Sequence, residues 1–332
     1  MTSTEKVTIY AEPDVFIEVL LYEENYPNWN FIFLNHSELC LNISSKKLET
    51  WIDTMDEMYL AYVAKTGGRE PIASNYYFLD LYDDISGIVE KPRDIHFLDF
   101  NEEMSSEITE NYGVMVLPSN SFSDKVLNLS FFTDLAEGER ISSESRIGWH
   151  ELFRFDVKPF NSFVLVDEYI FGNQQSVRGE IKIIGEENLI QLLDAKLPEN
   201  LLTSFHFLVI TSFESQRVED LERASLRLAE RIRALREYGI NCEFIFQKSE
   251  LFHKRKMIFN YANGSCDKGF CVFNAANLYD VRKINDFRIS HWFTGLHENK
   301  GTLEFQSSSF SLKIIKNLCS DILEGKQQGF LI

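Results

Sequence analysis

Short apolar runs alternate with stretches of helical spacing along the first part of the chain. VTIY (7–10) predicts a strand. PDVFIEVLLYEE after it predicts a short helix entered through Pro13, whose missing N–H suits a first helical turn. FIFL (31–34) and LCLNI (39–43) predict strands. Ser44 or Ser45 is placed to cap one long helix, KKLETWIDTMDEMYLAYVAK, that stops at Gly67-Gly68. YYFLDLY (76–82), IHFLDF (95–100) and GVMVLP (113–118) predict further strands. Strands alternating with helices imply an α/β unit with a largely parallel sheet.

TDLAEGERISSESR, from Thr133 to Arg146, is small and polar and predicts a linker. Beyond it FVLVD (163–167) predicts a buried strand, ENLIQLLDAKL a helix and FHFLVITSF (205–213) a strand. SQRVEDLERASLRLAERIRALREYG predicts a long helix with Val218, Leu221, Ser225, Leu228, Ile232 and Leu235 on one stripe and Gly239 just past its end. INCEFIFQKS predicts a strand, and KGFCVFNA another after a turn at Asn263-Gly264. The order β-α-β-α-β-β-β suits an α/β sandwich with a mixed sheet. Two α/β domains are expected, residues 1–145 and 150–332, behaving as separable units.

Composition agrees with a packed interior: of 332 residues, 44% are hydrophobic and 28 are Phe. Five scattered cysteines give no zinc spacing and predict free thiols in a reducing compartment. The N-terminus has no basic start and no apolar core of a signal peptide. No apolar run approaches the ~20 residues that span a bilayer, so a soluble, cytoplasmic chain is expected. Net charge is −18, which argues against wholesale coating of nucleic acid. That charge is uneven. Residues 1–150 hold 27 acids and 10 bases, whereas residues 151–332 hold 24 acids and 23 bases, so only the second part could approach a phosphate without a large penalty. The long helix carries Arg217, Arg223, Arg227, Arg231, Arg233 and Arg236 among glutamates, a pattern more typical of a solvated, ion-paired face than of a nucleic-acid ridge.

HKRKMIFN, His253 to Asn260, carries the candidate chemistry. His253, Arg255 and Asn260 stand at offsets 0, +2 and +7. On a strand His253 and Arg255 share one face, with Lys254 and Lys256 on the other. Together with FVLVDEYI (163–170), FHFLVITS, the long helix and FHKRKMIFNY (252–261), this resembles the phospholipase-D-like superfamily over residues of about 155–290. The likeness is greatest to its degenerate branch at the C-terminus of MIT-domain proteins and in bacterial relatives. The resemblance implies a nucleophile position for His253, a phosphate grip for Arg255 and a supporting position for Asn260, where active members carry Asp. It also leaves Asp167 in reach of His253. Active members need two motifs; His291 and His297 do not supply a second, because Asn299 stands at +2 from His297. A homodimer is therefore expected to join two sites.

The leading expectation is a non-catalytic module that recognises a phosphate-bearing ligand (nucleic acid or phospholipid headgroup) or docks a protein partner. The alternative is a metal-independent phosphodiesterase or nuclease acting as a homodimer through His253, with anti-phage defence as the context that the resemblance to bacterial relatives suggests. A second alternative is a PIN-like, metal-dependent nuclease in the acidic first part, drawing on Glu12, Asp14, Asp80 and Asp99, with Asp83, Asp84 and Asp94 nearby. No Gly-rich phosphate loop, G-x-S-x-G or H-E-x-x-H occurs, and no cofactor is expected.

Overall fold

The computed structural model describes residues 6–127, 129–141, 148–153, 155–172, 174–212, 218–247, 255–282, 284–294, 301–323 and 331. The first part runs β1 (Val7–Ala11), α1 (Pro13–Leu21), α2 (Pro27–Asn35), β2 (Ser37–Leu41), α3 (Ser45–Asp53), α4 (Glu57–Lys65), β3 (Ile72–Ala73), α5 (Tyr77–Asp83), a 3₁₀ turn (Ile85–Glu90), β4 (Ile95–Leu98), α6 (Glu102–Tyr112) and β5 (Met115–Pro118). Its strands form an all-parallel sheet of order β3-β2-β1-β4-β5, as the alternating pattern predicts.

Three local expectations fail here for physical reasons. FIFL lies in helix α2, because Pro27 starts a turn and Trp29, Ile32 and Phe33 bury one face. YYFLDLY lies in α5, where Phe78 and Leu81 point inward and Tyr76 and Leu79 stay exposed. The single helix expected over 46–65 is two. Asp56 accepts from the N–H groups of Met58 and Tyr59 and so begins α4, while Met55 turns the chain at φ 50°.

The second part runs β6 (Ser130–Leu135), α7 (Gly148–Leu152), β7 (Ser162–Val166), β8 (Gln174–Val177), β9 (Glu180–Ile183), α8 (Ile184–Lys196), β10 (Phe205–Ser212), α9 (Val218–Arg233), β11 (Ile240–Gln247), β12 (Arg255–Phe259), β13 (Ala262–Cys266), β14 (Phe273–Asn274), β15 (Asn277–Val281), β16 (Asn285–His291) and α10 (Gly301–Leu323). A mixed seven-stranded sheet has the order β11-β10-β7-β12-β13-β16-β6. β11, β10 and β7 are parallel, and each later pair is antiparallel. α8 and α9 pack on one face, over Phe163, Phe207, Met257 and Phe259; Leu312 and Ile315 of α10 pack on the other, over Val164, Leu208 and Ile258.

The expected linker begins inside structure. Thr133 to Leu135 belong to β6, which pairs along β16. The expected turn at Asn263-Gly264 is strand β13, with Gly264 opposite Met257 and no room there for a Cβ beside that side chain. The chain turns instead at Asp267–Gly269, Gly269 having φ 92°.

The two sheets share buried contacts. Tyr261, Trp292, Phe293 and Phe305 join the core that surrounds β1, α1 and α2. The Tyr261 hydroxyl accepts from Met115 N (2.8 Å) and donates to Asp94 O (2.7 Å). Gly113, at φ 67°, lies so close to Phe160 that a Cβ would meet its backbone at 2.6 Å. Among the described residues no helix is long and apolar enough to cross a membrane.

Candidate functional site

His253 and Lys254 lie outside the described residues, so the site is built from Arg255 onward. Arg255 opens β12 at the edge where β7 ends in Asp167, Glu168 and Tyr169. Its Nη2 donates to the Glu168 carboxylate and to Tyr169 Oη (3.3 Å), and its Nη1 donates to Asp267 O (3.1 Å). The guanidinium also lies 5.3 Å from the Tyr169 ring centre. Both partners of the ion pair are largely withdrawn from water, with side chains 17% and 16% exposed. The positive charge expected to grip phosphate is thus already matched by a carboxylate.

Asp167 is fully buried behind this pair. It accepts from Tyr169 N (2.7 Å) and Phe270 N (2.5 Å). Burial pushes its carboxyl up to about 6, against the pull of those two N–H groups and of Arg255. Gly269 is required beside it, because a Cβ there would meet the carboxylate and the Tyr169 ring at 3.0 Å.

Asn260 is not part of this edge. β12 continues straight past Phe259, and five residues of extended chain place Asn260 about 16 Å from Arg255. There it is sealed between the sheets with no exposure. Its Nδ2 donates to Pro92 O (2.6 Å), Gly113 O (3.0 Å) and Asn161 Oδ1 (3.0 Å), and its Oδ1 accepts from Ser162 N (3.1 Å) and Asn161 N (3.4 Å). Nothing in that set remains to orient an imidazole at the Arg255 end. His291 sits opposite Ala262, also near the Asn260 end, and burial holds its pKa down at about 4. His297 lies outside the described residues.

The carboxylates of the first sheet divide. Tyr82 Oη donates to Glu12 Oε1 (2.6 Å) and accepts from Asp99 N (2.9 Å), so the ends of β1 and β4 meet on one tyrosine. Asn42 donates to Glu12 and Asn120 to Asp99. Asp14 and Asp80 are exposed. Asp84 caps the 3₁₀ turn through Ser86 N, and Asp94 is pushed up to about 6 by burial. Among the described residues no three His, Cys, Asp or Glu side chains are grouped to hold a metal ion.

Two arginines, Arg231 in α9 and Arg236 just past its end, are structural. Arg231 pairs with Glu186 and Glu187, and Arg236 with Asp194 and the carbonyls of Leu197 and Pro198. Sequence reasoning did not single out Arg288 or Ser265, which share a face of the second sheet with Lys256. The strand alternation that set Lys256 opposite Arg255 was the available signal. No family model matches the chain, and no curated protein is significantly similar to it.

Proposed function

We propose that the chain is a non-catalytic docking module of phospholipase-D-like form, recognising a phosphate-bearing ligand or partner without hydrolysing it. The observation that carries this reading is the place of Asn260. The residue that would have to support a nucleophilic histidine is instead consumed by five hydrogen bonds between the sheets. Arg255 supports it too, since a phosphate reaching that edge must exchange with Glu168. Binding there is therefore expected to be weak and gated by that ion pair. The test combines turnover and binding. Bis(p-nitrophenyl) phosphate, labelled RNA and single- and double-stranded DNA should remain uncleaved, with or without EDTA. Glu168→Gln should tighten phosphate binding and Arg255→Ala should abolish it. Metal-independent cleavage that disappears in His253→Ala would overturn the reading.

One observation favours a second reading. In the parallel sheet the strand order reverses between β1 and β4, the place where α/β sheets receive ligands, and Glu12 and Asp99 stand at those two ends. Mg²⁺ is often held by one or two carboxylates plus substrate phosphates. On this reading RNA is cleaved only with Mg²⁺ or Mn²⁺, and Glu12→Gln abolishes cleavage.

A further inference from the structure

On the face of the second sheet opposite Arg255, α10 leaves a groove of about 270 Å³ beside β12, β13 and β16. Lys256 pairs with Ser265, Ser265 with Arg288, and Arg288 with Phe132 of β6, so these four side chains form one row on one face. Glu304, Ser307 and Ser308 of α10 wall the groove from above. Asn263 Nδ2 donates to Glu304 O (2.7 Å) and ties the helix over the sheet.

Three features of this groove and of the strand beside it are unexplained by packing. Arg288 is exposed and makes no hydrogen bond or ion pair among the described residues. Ser308 is only 2% exposed, yet its hydroxyl has no partner there, a condition that buried polar groups usually avoid. Phe132 is 58% exposed directly beside Arg288. Arg288, the Ser265 hydroxyl, a bare aromatic ring and Lys256, whose Nζ donates to Ser311 Oγ of α10 and so is held over the groove, suit a ligand that is anionic at one end and flat and aromatic at the other.

From this arrangement we infer a binding site for a mononucleotide. Its phosphate lies between Arg288, Ser265 and Lys256, with the Ser308 hydroxyl donating into the same space. Its ribose hydroxyls face the Glu304 carboxylate. Its base stacks on Phe132, one strand spacing of about 5 Å from Arg288. The groove volume is at the small end for ligand sites, which suits one phosphate and ribose with the base on the rim. The next row on this face is Asp286 opposite Asp134, both exposed. Those acids repel a second phosphate, so the site takes a single nucleotide and not a running strand. The site is distinct from the Arg255 edge and does not depend on the reading proposed for it.

Isothermal calorimetry and thermal shift on the full chain with AMP, ribose 5-phosphate, inorganic phosphate and adenosine test this. AMP should bind most tightly, ribose 5-phosphate less so, and adenosine least. Arg288→Gln should weaken all three phosphates by about ten- to a hundredfold. Phe132→Ala should weaken AMP by roughly five- to a hundredfold and leave inorganic phosphate unchanged. Arg223→Gln, an exposed arginine on α9, is the control and should change nothing. Both test positions are exposed, so folding is preserved, and circular dichroism checks it. The inference is overturned if AMP fails to bind at millimolar concentration, or if its binding survives both substitutions. A 5′-phosphorylated pentanucleotide that binds far more tightly than AMP also overturns it.

Discussion

Asn260 shows how one side chain can hold a fold while standing at a motif position. Replacing it by Asp would set a carboxylate against the carbonyls of Pro92 and Gly113 in a site without water. Asn260→Asp should therefore lower stability by roughly 3–5 kcal/mol, read by urea denaturation, and should produce no phosphodiesterase turnover. Other single residues set the response to acid. Burial depresses His36 and His291 to about 4 and His96 to about 3, so each takes up a proton on unfolding. A depressed histidine is fully stabilising above its unfolded pKa, near 6.5, and that stability is lost as pH falls from there toward the folded pKa. Asp94 and Asp167, both raised to about 6, act in the opposite sense, because their protonated forms are favoured in the fold between roughly pH 4 and 6. Three large histidine shifts outweigh two carboxyl shifts, so the midpoint in urea should fall between pH 6.5 and 4. His96→Gln should flatten that slope; a midpoint that rises on acidification would mean the carboxyls dominate.

Among the elements, α3 and α4 depend on how their junction is capped. Asp56 satisfies two N–H groups of the first turn of α4, and Asp56→Ala should cost about 1 kcal/mol with some loss of helical circular dichroism. A glutamine at 56, unable to cap in this way, should behave like the alanine. The same junction explains part of what the sequence hid. Thr54, Met55 and Asp56 interrupt an apolar stripe that otherwise reads as continuous, and only the cap distinguishes one helix from two. FIFL and YYFLDLY were ambiguous for another reason. Four or more bulky residues in succession give neither a period of 2 nor one of 3.6, and tertiary burial of Trp29, Phe33, Phe78 and Leu81 decides the matter. By contrast β1, β7, β10 and α9 follow directly from pattern. At the candidate site, the pairing of Arg255 with an acid at the end of β7 was within reach, since Asp167 and Glu168 close a strand. The destination of Asn260 was not, because its partners Pro92 and Gly113 lie in the first part of the chain.

At the scale of the whole molecule, the two sheets share buried side chains, and each is expected to lose stability without the other. Tyr261→Phe removes the acceptor of Met115 N and should cost about 1–3 kcal/mol, since that N–H is left buried and unpaired. Division between residues 141 and 148 should be worse. The N-terminal piece loses Tyr261, Trp292, Phe293 and Phe305 from its core and keeps β6 without β16. Neither piece alone should unfold cooperatively, whereas the two expressed together should recover a single calorimetric transition. A sharp transition in the isolated N-terminal piece would show that the shared core is dispensable. The pairing of β6 with β16 also sets an order in time. A ribosome adding about 5–20 residues per second needs on the order of ten to thirty seconds to go from one strand to the other. Throughout that interval β6 is a synthesised strand whose neighbour does not yet exist, and the core around α1 and α2 still lacks the rings of Trp292, Phe293 and Phe305. The strands of the parallel sheet are all made by Pro118, yet the nascent chain must carry both unfinished surfaces until Asn285–His291 and then α10 emerge, so the edge beside β6 and the core around α1 and α2 are closed by the same late segment.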